Sequence, residues 1–140
     1  MVVLGRLGQQ LEYVDGTLRS KALVSIDPKQ SGNDLFVTLA HEGSHVRDGQ
    51  AYAAAAMRMG DAAATSPFNL TVLQTEMNAY STSVNAARFL GFSNLNFSAG
   101  SQTYQSWKGG TAAVDRPVLE QYLRASPLYA PKLTNFMFPR

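Results

Sequence analysis

The chain has 140 residues, 45% of them hydrophobic and 16% charged, with a net charge of +2. That length suits a single domain spanning 1–140, and the balance of residues excludes a disordered chain. The chain has no cysteine, which excludes disulfides, thiolate zinc sites and cysteine nucleophiles, and its twelve basic residues form no run or stripe, so no nucleic-acid partner is expected. The start, "MVVLGRLGQQ", lacks the charged n-region and long h-region of a signal peptide. No apolar run reaches membrane-spanning length. Export would therefore require delivery by another system, or release from a longer chain.

Residues 1–21 are mixed, and "LGQQLEYV" reads as a short helix or strand. "ALVSI" (22–26) is β-branched and apolar, and Asp27-Pro28 closes it, so it is expected to be a strand followed by a loop. Ser31 and Asn33 offer N-caps for a helix over "DLFVTLAHEGSHVRD". Leu35, Leu39 and Val46 lie near one side of that helix, and Gly49 is a plausible stop. "QAYAAAAMRMG" (50–60) is strongly helix-forming and ends at a glycine. "DAAATSPF" reads as a loop. Asn69 is placed to cap "LTVLQTEMNAYSTSVNAARFL", in which Leu70, Leu73, Met77, Tyr80, Val84 and Ala87 recur at spacings of three and four until Gly91. Residues 92–114 are rich in Ser, Asn and Gly and read as loops or short strands. Asp115 caps a short helix through Arg124, and the proline-bearing tail is expected to be extended.

The only two histidines, His41 and His45, stand in "HEGSH". On a helix, residues four apart lie one above the other, so both imidazoles can reach one point in space. Zinc accepts such ligands and keeps an open position where it does chemistry. Glu42 is rotated to the side of that face, where it can act as general base toward a metal-activated water without ligating. These residues match the HExxH motif, and the chain here resembles the zincin metallopeptidases. The deformylase version needs a cysteine ligand. The metzincin version HExxHxxGxxH is not continued, since Asp48 stands at the glycine position and Ala51 at the third histidine.

With no further histidine and no cysteine, the third ligand must be a carboxylate. Asp48, Asp61, Glu76, Asp115 and Glu120 are the candidates downstream. Glu76 stands out because it borders the apolar face of the clearest amphipathic helix, where a carboxylate is costly to bury without a partner. Gluzincins have the same layout, with a glutamate ligand on a second helix, and "TEMNAY" is similar to the wording of that helix in some of them. Asp48 is the rival, one turn past His45, and is better suited to accept a hydrogen bond from an imidazole N–H or to hold the Arg47 region. Tyr80, one turn beyond Glu76, is the first candidate to donate to a developing oxyanion. Tyr104 and Tyr52 are others.

The resemblance covers residues 22–90 and implies an α+β, mainly helical zincin-like domain. It would have an HExxH helix, a second ligand-bearing helix and a small β-sheet or edge strand. Zincins commonly place a strand beside the metal, and "ALVSI" suits that role by pairing with extended peptide. The implied activity is hydrolysis of peptide bonds with zinc. His41, His45 and Glu76 would hold the metal, and Glu42 would move the proton. Small cysteine-free HExxH domains are also similar to bacterial toxin and secretion-effector metallopeptidases, which implies a cognate immunity protein as a second partner. Two alternatives remain: a hydrolase of peptidoglycan stem peptides with the same site, and a binding module whose metal is only structural.

Overall fold

The computed structural model describes residues 6–29, 32–91, 105–108 and 111–140. Strands β1 (Arg6–Val14) and β2 (Thr17–Ser25) form an antiparallel hairpin with Val14 opposite Thr17. Asp15 and Gly16 make its two-residue turn with φ of 51° and 77°. Positive φ at both positions is the type I′ geometry that suits the twist of a hairpin, and Asp-Gly adopts it readily. Residues 22–25 of "ALVSI" thus form the end of a longer strand, Ile26 lies just beyond it, and "LGQQLEYV" is its partner.

Helix α1 runs unbroken from Gly32 to Met59, so the two helices read from the sequence are one. Gly49 is not a stop. A Cβ built there would run into Gln9 Oε1 and lie 2.6 Å from Ser20 Oγ. The glycine is where the hairpin docks on the helix, and four hydrogen bonds surround it. Gln9 Nε2 donates to the His45 carbonyl at 3.0 Å and Ser20 Oγ donates to Gln9 Oε1 at 2.9 Å. Gln50 Nε2 donates to the Ser20 carbonyl at 2.7 Å, and Ser20 N returns a bond to Gln50 Oε1 at 3.3 Å. Asn33 lies inside the first turn of α1, and Ser31 is outside the described residues.

The buried face of α1 is not the side marked by Leu35, Leu39 and Val46. Leu39 is exposed and the other two are half-buried. The buried stripe is instead Val37, Ser44, His45, Asp48, Tyr52 and Ala55, a helical repeat composed largely of polar and small residues. Through Val37, His45 and Asp48 it faces α2 (Val72–Phe89), while Tyr52 and Ala55 pack with Ala63 and Phe138. Phe36 stacks on Phe89, His41 meets Ser83, and Asp48 meets Asn78. Partners thus fall in number along α2 as they rise along α1, so the two helices are antiparallel.

Helix α2 is capped by Thr71 rather than Asn69. The Thr71 side chain accepts from Gln74 N while the Gln74 side chain accepts from Thr71 N, a reciprocal capping box. Asn69 instead ties the C-terminal segment to the start of α2. Its amide donates to the Phe138 carbonyl at 2.9 Å and accepts from Phe138 N at 3.1 Å. The tail is therefore held down rather than extended. Val72 N, Leu73 N and Met137 N bond Asn135, Leu133 and Leu70 carbonyls, and Ala130–Lys132 forms a 3₁₀ turn.

Strands β3 (Gln105–Lys108) and β4 (Thr111–Val114) pair antiparallel. Helix α3 (Arg116–Ala125) follows, capped as expected by Asp115, which accepts from Val118 N. Leu119 and Leu123, one turn apart on α3, are fully buried against Val37, Met77, Val84, Ala87 and Leu133. Each such leucine contributes about 1.5–3 kcal/mol by leaving water. The expected apolar face of α2 is the face that packs into this core. The architecture is α+β and mainly helical, with α1 lying between the hairpin and α2.

Candidate metal centre

One turn of α1 places His41 above His45 with ring centroids 5.0 Å apart. From α2, Glu76 reaches between them. Its Oε1 lies 3.3 Å from His45 Nε2 and its Oε2 lies 3.4 Å from His41 Nε2. Both Nε2 atoms therefore point at one carboxylate supplied by a helix 31 positions further along the chain (76 − 45). The antiparallel packing of α1 on α2 brings these groups together.

Glu42 is 1% exposed, and neither of its carboxylate oxygens has a hydrogen-bond partner. Its Oε1 lies 3.8 Å from His41 Nε2. Burial pushes its pKa up to about 7, with the neighbouring His45 opposing the rise and Glu76 adding to it. Burial works to raise Glu76 too, but contacts with His41 and His45 outweigh it and draw the carboxyl down to about 2. For His45 burial disfavours the imidazolium, yet Glu76, Glu42 and Asp48 together hold its pKa above the ordinary value.

His41, Glu42 and His45 each offer a ligand atom, all within 4.8 Å of one another, and this group could hold a metal ion. Two observations test the fit. The first is chemical: Glu42 Oε1 and Oε2 and Glu76 Oε2 are buried without a hydrogen bond. A buried carboxylate left uncompensated costs several kcal/mol, and a cation or a water held beside it offsets that cost, which applies to Glu42 more than to Glu76, whose Oε2 faces His41 Nε2 at 3.4 Å. The second is metric. Ligand atoms about 2.0–2.1 Å from a tetrahedral ion stand about 3.3–3.4 Å apart. The imidazole-to-Glu76 separations, 3.3 and 3.4 Å, are of that size but end on different oxygens, Oε1 from His45 and Oε2 from His41, so Glu76 spans the two imidazoles, and the mutually close ligand atoms are those of His41, Glu42 and His45.

Asp48 is placed differently. Asn78 Nδ2 donates to its Oδ2 at 3.2 Å. Burial raises its pKa, opposed by Asn78, Arg47 and His45. Arg47 itself turns back to donate to Ser44 Oγ at 3.2 Å. The Tyr80 and His41 rings meet in a T-shaped contact with centroids 4.6 Å apart, and the Tyr80 hydroxyl lies 3.2 Å from that of Tyr129. Tyr52 stacks on Phe138 at 4.3 Å in a second core cluster with Ala55 and Ala63. It is a packing residue seven positions beyond His45, about 10 Å along the helix. Tyr104 lies outside the described residues.

Three contributors were not read from the sequence: Ser83, whose hydroxyl lies 3.3 Å from His41 Nδ1, Asn78 on Asp48, and Tyr129 on Tyr80. A signal for the first was present. Glu76, Tyr80 and Ser83 stand at i, i+4 and i+7, a single helical face. Comparison of the chain with family models, with curated proteins and with solved structures finds no match. The reading of the centre therefore rests on its residues and their geometry.

Proposed function

We propose that the chain is a zinc-dependent metallopeptidase, with His41, His45 and Glu76 as the protein ligands and Glu42 as the general base. The observation that carries this is Glu42, a carboxylate sealed from solvent, without a hydrogen bond, and beside two convergent imidazoles. Zinc bound in such a site supplies Lewis acidity and lowers the pKa of a water to about 7. Glu42, whose pKa burial raises to about 7 in the metal-free protein and which a bound cation would draw down again, is placed to take a proton at neutral pH and to return it to a leaving amine. Glu76 lends negative charge to the site, and its pKa of about 2 keeps it ionised across the physiological range. Tyr80 is the candidate oxyanion donor, set beside His41 and steadied by Tyr129.

A peptide substrate is favoured by the hairpin, a two-stranded sheet docked on α1 at the His45 carbonyl. An extended peptide adds to such an edge by main-chain hydrogen bonds. Stem peptides of peptidoglycan are a narrower version of the same substrate class. Action as a delivered bacterial toxin, with an immunity protein covering the site, extends the proposal to its biology. A purely structural metal site has no use for an unpartnered buried carboxylate, so Glu42 speaks against the binding-module reading. Among the described residues no helix is long and apolar enough to cross a membrane.

The test is Glu42→Gln, assayed for zinc content and for cleavage of a mixed peptide library. Zinc should be retained while turnover falls by about 10²–10⁴-fold. Undiminished turnover would remove Glu42 from the mechanism.

A further inference from the structure

We infer that Ser83 is a positioning residue for His41: its hydroxyl oxygen accepts the Nδ1–H of that imidazole and so reserves Nε2 for the metal. The inference rests on the reading of His41 as a ligand and names a residue that sets that ligand's state. Ser83 Oγ donates to the Ala79 carbonyl one turn back at 3.0 Å, and the same oxygen lies 3.3 Å from His41 Nδ1. A hydroxyl has one proton, and here it goes to the carbonyl. What remains toward His41 is a lone pair, so Nδ1 must be the donor. A neutral imidazole carries a single N–H, and placing it on Nδ1 leaves the Nε2 lone pair free.

The competing tautomer has a local advantage. Nε2 faces Glu76 Oε2 at 3.4 Å, and a proton on Nε2 could bond that carboxylate. Such a proton would block ligation. Ser83 opposes it from the other side of the ring. At 4% exposure, Ser83 leaves little access for a water to replace its hydroxyl. Its place follows from the sequence of α2. Seven residues separate it from Glu76, two helical turns, so one face of α2 supplies a carboxylate for Nε2 and an acceptor for Nδ1. Partners of this kind on the far nitrogen of a metal-bound histidine fix ring orientation and raise ligand basicity.

The experiment compares the zinc affinity of wild type, Ser83→Ala and Ser83→Thr by competition with a chromophoric chelator, with imidazole ¹⁵N spectra of the zinc-loaded proteins. Ser83→Ala should bind zinc about 10–100-fold more weakly. Ser83→Thr keeps the hydroxyl and its bond to the preceding turn, and should restore most of the affinity. The His41 Nδ1–H resonance should move in the alanine variant, and the His45 resonances should stay. Equal affinity of wild type and Ser83→Ala overturns the inference and leaves the metal reading standing. An equal loss in both variants assigns the effect to packing and overturns it as well. A wild type that takes up no zinc overturns the metal reading, and the role of Ser83 with it.

Discussion

Glu42 and Glu76 are both buried carboxylates, and their surroundings drive them in opposite directions. Glu42 meets no donor and its pKa rises to about 7, while Glu76 lies between two imidazoles and falls to about 2. The first shift has a consequence for the metal-free protein. A carboxyl whose pKa is higher folded than unfolded binds its proton more tightly in the folded state. Stability therefore declines as pH rises from about 4.5 to about 7 and stays reduced above that. Each tenfold difference in proton affinity is about 1.4 kcal/mol, so the cost at pH 8 is on the order of a few kcal/mol. Metal-free Glu42→Gln should unfold at higher urea than wild type at pH 8 and show no such gain below about pH 4.5. Equal midpoints at pH 8 would mean that Glu42 is better solvated than its burial implies. The ligand assignment is also tested at this scale. Glu76→Ala should abolish tight zinc binding, and Asp48→Ala, which removes a partner of Asn78, should weaken it by about 10–100-fold at most. The reverse order in a chelator titration would make Asp48 the ligand. The convergence of His41, Glu42, His45 and Glu76 was legible because histidine spacing and a carboxylate on an apolar face are chemically conspicuous, and their roles stand as proposed. Asn78 was not, and Ser83 carried only its helical spacing from Glu76, since small polar residues along a helix look alike until a partner helix is placed against them.

Helix and strand types were largely readable, but the roles of single residues at their joints were not. Gly49 could end a helix or admit a close neighbour, and only the hairpin decides between these. Asp15-Gly16 carried the signal for that hairpin in two adjacent residues. Asn69 and Thr71 both cap helices well, and the choice between them depended on a tail 69 positions away. The docking at Gly49 makes a prediction that runs against helix propensity. Alanine in place of an interior helical glycine ordinarily gains about 1 kcal/mol. Here the added methyl displaces Gln9 from between Ser20 and the His45 carbonyl, and overpacking costs about 1–3 kcal/mol. Gly49→Ala should therefore lower the urea midpoint of the metal-free protein. A raised midpoint would show that the hairpin yields without loss.

At the scale of the molecule, α1 has two occupied sides. The hairpin docks on one through Gln9, Ser20 and Gln50, and α2 covers the other through the polar stripe that includes His45 and Asp48. That stripe is poor in large apolar residues. The core proper lies beyond it, where α2, α3 and the tail bury Met77, Val84, Leu119, Leu123 and Leu133. The α+β, mainly helical class followed from the length and periodicity of the helical segments, but the antiparallel pairing of α1 with α2 had no local signature. A metal at the α1–α2 junction would join the two helices, so its binding should raise the thermal midpoint. The central claim is that this junction is a zinc site, and its most direct test is elemental analysis of the purified chain after equilibration with zinc at neutral pH. The account predicts about one zinc per chain, lost in His41→Ala and in His45→Ala. A wild-type chain that retains no divalent metal under those conditions would contradict it.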